Sequence, residues 1–418
     1  MDVQGIKLYA GIFLASLLQQ MPASAQRSRL LTDDVATLQV TAGNDWQSMP
    51  VATLGDRPIV ISFDGMTHEY RRYTYRIEHM EADWTPSRDL FSSDYINGFE
   101  YGNTIDPYGE SENVNTQYTH YRLTIPNDRC SLTMSGNYKL TVYDENNNMK
   151  PVLEACFMLS EQTMPVKLGV TTSTDIDING SHQQVEAEVR FGNYNVTDPE
   201  RQIKTVVMQN GRWDNARRDT RPQQRNNEML KWTHCNSFIF NAGNIYRKID
   251  MLSVTHPTMG VENINWDGSN YHVWKWTDEP RPNYVYDESA QGAFYIRNSD
   301  NDDNDVQTDY VWLHLRLKAP RQPGDVYVNG DWTYDRFDDK YKMSWNDEKK
   351  IYETALFLKQ GYYSFQYVTL FSDGTAHPVS TEGNFYQTAN KYQMLVYFRG
   401  NGDRTDRLTG YQQVTIKP

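Results

Sequence analysis

Cysteine is scarce in this chain. Cys130, Cys156 and Cys235 are the three among 418 residues, an odd count that allows at most one disulfide and excludes a scaffold stapled by several. Cys130 and Cys156 border the hairpin expected from Tyr138–Tyr143 and Leu153–Leu159, so a bond between them and a pair of buried thiols both stay open. Long apolar runs are missing too. Beyond residue 25 none approaches the roughly 18 residues that a spanning helix needs, which excludes a helical membrane protein. A transmembrane β-barrel is disfavoured, because the alternating runs are short and carry charges that a lipid-facing surface tolerates poorly.

Basic clusters are few. Lys and Arg total 41 against 54 Asp and Glu, giving a net charge of -13 that argues against nucleic acid and against a polybasic grip on anionic lipid. The chain also lacks a nucleophile elbow, a phosphate-binding glycine loop, a paired CxxC and HExxH, and its nine histidines, from His68 to His377, have no metal-ligand spacing. No catalytic residue, metal site or cofactor is expected. The 54 carboxylates are too many for any pair to be informative, and no local feature supports a two-carboxylate glycosidase. Asp300–Asp305 invites a calcium reading, but an EF-hand loop needs Gly sixth and Glu twelfth where this chain has Asp305 and Val311, so a flexible acidic turn is expected.

What is present is β-sheet sequence. Tyr is the commonest aromatic at 29 residues, Thr and Val recur in short runs, and long Ala/Leu/Glu/Lys helical stretches are absent. Residues 1–25 read as a secretory signal peptide: Lys7, an apolar run from Leu8 to Leu18, and Ala23-Ser24-Ala25 ahead of Gln26. No cysteine follows to carry a lipid, so a soluble export is expected. The remaining length suits three domains: a first β-sandwich over 26–162, a second over 163–319 and a small C-terminal sandwich over 320–418. The first two are expected to be immunoglobulin- or fibronectin-like, with strands at Pro58–Phe63, Tyr73–His79, Tyr118–Ile125 and Tyr138–Tyr143, then Val166–Thr172, Val185–Phe191, Lys204–Gln209, Ser237–Asn241 and Tyr310–Leu317. In the third, successive antiparallel strands are expected at Asp325–Val328, Lys340–Trp345, Ile351–Leu358 and Tyr362–Leu370, turning at Asn329-Gly330 and Gln360-Gly361.

Four stretches are candidates for function. The alternation of Tyr73–His79 breaks at Asp83-Trp84-Thr85-Pro86-Ser87, where the indole of Trp84 is suited to closing the end of a core. The segment 99–117, rich in Asn, Gly, Asp and Ser, is either a functional loop or a floppy insertion. Arg212, Trp213, Arg217, Arg218, Arg221 and Arg225 reverse the local charge, as a solvated loop or as an edge that meets an acidic partner. The last hundred residues resemble the small sandwich modules that bind glycogen-like glucans, which makes Trp332 and Trp345 candidates for stacking on sugar or for an interface.

Taken in order, Tyr75-Arg76-Ile77, His79, Ala82-Asp83-Trp84, Ser87 and Tyr95–Phe99 closely resemble the first domain of the type IX secretion system plug protein family. The similarity continues through Tyr118–Pro126, Ser135–Tyr138, Gln209-Asn210, Arg212–Asn215, Arg404–Arg407 and Gly410-Tyr411, and covers nearly all of the chain after residue 25. Met80 stands where a cysteine is more often expected, which bears on no catalytic role. The resemblance implies structural roles for His79, Asp83, Trp84, Ser87 and Asn210. It also implies a non-enzymatic periplasmic protein at the inner face of the outer membrane, which seals the β-barrel translocon by protein–protein interaction. The competing expectation is a carbohydrate-binding exported protein.

Overall fold

The computed structural model describes residues 26–416; the expected signal peptide lies outside the described residues. The chain is all-β, built from paired sheets. In the first unit, one sheet runs Arg29–Leu30, Lys150–Ser160, Gly136–Asp144, Tyr73–Met80 and Asn103–Thr104; the other runs Val35–Ala42, Ile59–Gly65, Thr119–Ile125 and Tyr108–Glu110. The period-2 pattern explains the layering. Tyr73, Tyr75 and Ile77 point inward against Ile61, Phe63, Leu140 and Phe157, all essentially without solvent contact. Phe63, Tyr73 and Tyr121 pack as an aromatic trio with ring centroids 4.8 to 5.3 Å apart.

The other two units do not follow the boundary expected at residue 319. Strand Ile203–Gln209 pairs along its whole length with Lys391–Phe398, and Arg407–Thr415 pairs with Lys391–Phe398. The second sandwich is therefore closed by the last strands of the chain, over a core that joins Val185, Val189, Trp232 and Phe240 to Tyr392, Met394 and Val396. Between its two parts lies the third unit. Arg247–Asp250 and Phe294–Ile296 both pair with Gly361–Leu370, and Tyr271–Lys275 lies parallel to Tyr310–Leu317, so this unit begins near residue 245 and ends near 385. Tyr310–Leu317 thus belongs to the third sandwich, where the sequence reading placed it in the second. The strands on either side of Gln360 do not form a hairpin: Ile351–Lys359 pairs with Tyr310–Leu317, and Gly361–Leu370 belongs to the facing sheet. Gly361, at φ +157 with the Tyr295 carbonyl 2.4 Å from where a Cβ would stand, makes that corner. Asn329-Gly330 also leads into a short 3-10 turn, Asp331–Thr333, and not into a hairpin.

Burial has two further consequences. Cys130, Cys156 and Cys235 are buried thiols, and burial raises Cys130 to about 11 and Cys156 to about 12, which makes both poor nucleophiles. Asp300–Asp305 is a structured turn held by Asn298 and Asn304, and the Asp305 carbonyl accepts hydrogen bonds from Tyr118 and Lys359.

The first and third units are locked by a buried charge cluster. Lys359 Nζ donates to Asp64 Oδ2 at 2.8 Å, Tyr310 Oη donates to the same oxygen at 2.7 Å, and His120 Nδ1 lies 2.7 Å from Asp64 Oδ1. Both charged side chains are about 1% exposed, and the ammonium also sits 4.0 Å from the centre of the Tyr118 ring. Burial works to raise the Asp64 carboxyl, but Lys359 and His120 outweigh it and hold the group below its ordinary value. That contribution to stability is present above the ordinary carboxylate range and is lost as pH falls through the depressed value. Lys359→Met leaves a buried carboxylate unpaired. It is expected to cost about 3 to 5 kcal/mol, read as a lowered urea midpoint, whereas the double change with Asp64→Leu should recover most of the loss.

Candidate interaction surfaces

His79 and Trp84 sit where the first unit meets the second. His79 ends the strand Tyr73–Met80 pointing inward; its Nδ1 lies 2.9 Å from Ser87 Oγ and its Nε2 3.0 Å from the Ser135 carbonyl. Ser87 passes the contact on to Thr405 of the second unit at 3.0 Å. The ring fills the space above Gly136, where a Cβ would meet Nε2 at 2.2 Å. Asp83 caps its own turn by accepting from the amide and hydroxyl of Thr85, which helps hold Trp84 at φ +65, an uncommon conformation for a bulky residue. So placed, Trp84 is 1% exposed and meets Trp213 edge to face at 5.9 Å. Around that contact Met80, Met158, Val206, Met208, Leu395 and Tyr397 form a continuous core between the two units.

The polar contacts across this seam are as dense. Asp406, held by Lys204 of its own unit, accepts from the Ala82 amide, Arg399 pairs with Glu81 at 2.9 Å, Arg407 pairs with Glu161, and Tyr397 donates to Asn137. Asn210, at φ +55, bonds Asn390 and the Lys391 amide, tying the turn after Ile203–Gln209 to the returning strand. His79, Asp83, Trp84, Ser87 and Asn210 therefore lie along or beside one seam.

The arginine stretch is not one surface. Arg212 is buried and pairs with Asp214 through both Nε and Nη2, at 3.1 and 2.5 Å. Burial opposes its charge, and Asp214 more than compensates, which leaves the guanidinium above its ordinary value. Arg217 lies over Phe240 and Arg218 over Trp213, both with their charge disfavoured by burial. Arg218 nonetheless keeps an exposed edge, so it, Arg221 and Arg225 are left for a partner, and Arg225 already has an exposed pair with Glu200 at 2.6 Å. Trp332 has no face for a sugar. It is 4% exposed, donates to the Ser364 carbonyl and packs edge-on against Tyr363. Trp345 is half-buried against Tyr352, with its Nε1 on Asp347.

The segment 99–117 is not floppy. The amides of Asn115 and Thr116 donate to Asp309 at 2.9 and 3.1 Å, and the Glu112 amide donates to the Val306 carbonyl, so the loop straps the first unit to the third. Sequence reasoning missed this anchor and the Lys359–Asp64 pair; an aspartate closing the apolar run Ile59–Phe63 was the available sign. It also missed an aromatic tip. Phe91, Phe99 and Tyr101 are 74%, 67% and 65% exposed around the contact between Ser92 Oγ and Glu100, with Arg76 over the Tyr101 ring.

These features define a class: an all-β protein of three interlocked sandwiches, with its unusual side chains spent on seams between units and, among the described residues, no cluster suited to a metal ion. The sequence profile of the type 9 secretion system plug protein first domain matches residues 35–161. The crystal structure of a hypothetical protein from Parabacteroides merdae ATCC 43184 is similar at TM-score 0.89 and 38% identity, covering 93% of this chain and 99% of that one. Dimeric latent PorU from Porphyromonas gingivalis aligns at a TM-score of 0.14 and 10% identity, over 92% of this chain and 34% of that one, too low to relate the folds. None of the curated proteins matches. Residues 35–161 thus match the type 9 secretion system plug protein first domain, and the chain as a whole shares its fold with the Parabacteroides merdae protein.

His79 gives this seam a pH signature. Burial holds its imidazole below the ordinary value, so its share of stability is present above about pH 6.5 and is lost as pH falls through the lowered value. Stability should decline below pH 6.5 by up to about 1.4 kcal/mol per pH unit from this group, and His79→Gln should flatten that part of the profile in urea titrations between pH 4.5 and 7.

Proposed function

We propose that this protein acts by binding and without chemistry: it occupies the periplasmic mouth of the type IX translocon barrel and closes it while no cargo passes. The observation that carries this reading is the fusion of three sandwiches into one body, through a buried ion pair, a strap loop and a shared apolar seam. A channel wide enough for folded cargo leaks small solutes, and only a cover without flexible joints prevents that. Export with loss of residues 1–25 and residence at the inner face of the outer membrane belong to the same proposal. Asp64, His79, Arg212 and Lys359, whose titration burial and neighbouring charges shift, are all engaged in internal contacts, which supports a binding role.

The exposed arginines Arg218, Arg221 and Arg225 and the aromatic tip are the surfaces offered to the barrel. Aromatic and arginine side chains are enriched at binding hot spots. With Trp332 buried, the glucan reading retains only Trp345 of its two aromatic candidates.

Deleting the gene while keeping the translocon should raise entry of a large, normally excluded dye, and removing the translocon as well should abolish the increase. Complementation with Phe91→Ser/Phe99→Ser/Tyr101→Ser should restore the tight membrane less completely than wild type. An outer membrane as tight after the single deletion as before it contradicts the proposal.

A further inference from the structure

The sheet of the third unit that contains Tyr310–Leu317 buries one face in the core and turns the other outward. Val311, Leu313, Leu315 and Leu317 have no solvent contact, which fixes the inward side. On the outward side, the register of Tyr310–Leu317 with Ile351–Lys359 sets four rows: Tyr310 with Lys359, Trp312 with Phe357, His314 with Ala355, and Arg316 with Glu353. Tyr271–Lys275 adds His272 beside Trp312 and Trp274 beside His314.

The first row is the lock described above, covered by the first unit through Asp64, Thr37 and Tyr118. From it the aromatic contacts run on across the sheet. Tyr310 stacks on Phe357 at 5.4 Å, Phe357 meets Trp312 at 5.1 Å, and His314 stacks on Trp274 at 3.8 Å with the Arg316 guanidinium over the same indole. His272 Nδ1 lies 2.7 Å from His314 Nε2, and its Nε2 lies 2.9 Å from Asp267 in the adjoining turn. Among the described residues, every ring contact of these four indole and imidazole side chains is made within this sheet, so the second and third rows are left uncovered where the first unit stops. Charge returns only in the last row, where Arg316 pairs with Glu262 and Glu353 pairs with Lys349 at 3.0 Å. Burial, with His272 and Arg316 nearby, lowers His314 to about 4, so its ring is neutral at pH 7. An aromatic centre depleted in charge and bordered by a charged rim is the anatomy of a protein interface. Sugar is less well served, because both indoles are turned onto His314, Arg316 and Phe357, and stacking on a pyranose needs an indole face left open.

We infer that this outward face docks on the translocon: a barrel segment with apolar side chains at its centre covers Trp312, Phe357 and His314 as the first unit covers Tyr310, and so continues the seam between the first and third units. The inference rests on the plug reading above and adds the third unit to the surfaces that meet the barrel. The loop 99–117 joins the two regions, since it begins at the aromatic tip and ends at the border of this face, where Asn115 donates to the Ser269 carbonyl at 2.7 Å.

The test uses Ala355, which is exposed opposite His314, so that Ala355→Arg adds bulk and charge to the face without removing a packed group. Binding of the full mature chain to immobilised purified translocon is measured for wild type, Ala355→Arg and Trp312→Ala, with Tm as the control for folding. Ala355→Arg should keep a Tm within about 2 °C of wild type and, like Trp312→Ala, weaken binding about tenfold or more. Ala355→Cys gives a second readout: the three native cysteines are buried, so a maleimide dye attaches to the folded chain at position 355 alone, and its fluorescence should shift when translocon is added. Wild-type affinity in Ala355→Arg, or a dye signal that stays constant while translocon binds, overturns the inference and leaves the plug reading standing. A wild-type chain that does not bind the translocon overturns both. Saturable binding of maltoheptaose to wild type that Trp312→Ala abolishes assigns the face to sugar and overturns the inference.

Discussion

The Lys359–Asp64 pair is the constraint on which the arrangement depends. Neither charge reaches water, so each is tolerable only while the other is in place, and they come from different sandwiches. Separating the first unit from the third exposes one buried charge on each side and breaks the Tyr310 contact to the same carboxylate, whereas His120, on the strand beside Asp64, stays with it. A purely apolar seam of similar size would slide at little cost; a buried ion pair fixes one register. The loop 99–117 adds a second attachment at Asp309, some fifty residues of chain away from Lys359 but adjacent to it through Gln360, whose amide donates to the Asp309 carbonyl.

The second constraint is topological. The third sandwich is inserted into the second, whose sheet is completed by Lys391–Phe398 and Arg407–Thr415, so the chain enters and leaves the third unit through neighbouring segments at Ala242–Asn244 and Phe385–Asn390. Two crossings in place of one linker remove the freedom that a bead-on-string arrangement keeps. The first and second units are joined by a third device, the Trp84–Trp213 contact and the methionine-rich core around it. Each of the three unit pairs is therefore held by its own device: the first and third by buried charge, the second and third by the double crossing, and the first and second by apolar packing.

Much of this was legible in the residues. The alternation in Tyr73–His79, Tyr118–Ile125 and Tyr138–Tyr143 marks strands that the fold contains with boundaries shifted by one or two residues. Strand partners were not legible, because a period-2 pattern states which face is buried and not which strand covers it; Tyr310–Leu317 and Lys391–Phe398 were consequently assigned to the wrong sandwiches. The arginine stretch misled for a related reason. Local composition shows that Arg212, Arg217 and Arg218 share a charge, but whether each guanidinium faces water or lies on Asp214, Phe240 or Trp213 depends on residues that fold back onto it. Trp332 shows the same limit, since a tryptophan beside an Asn-Gly pair reads as exposed until a 3-10 turn carries it into the core.

A rigid body of this kind suits a seal, whose performance depends on leaving no gap rather than on turnover. The central claim is that the folded protein itself closes the pore. The direct measurement is the conductance of purified translocon in a planar bilayer before and after the mature protein is added to the periplasmic side. The account predicts that the large open-channel conductance falls to a small residual value and returns when the protein is washed away under dissociating salt. An unchanged open conductance at protein concentrations that saturate binding would contradict it.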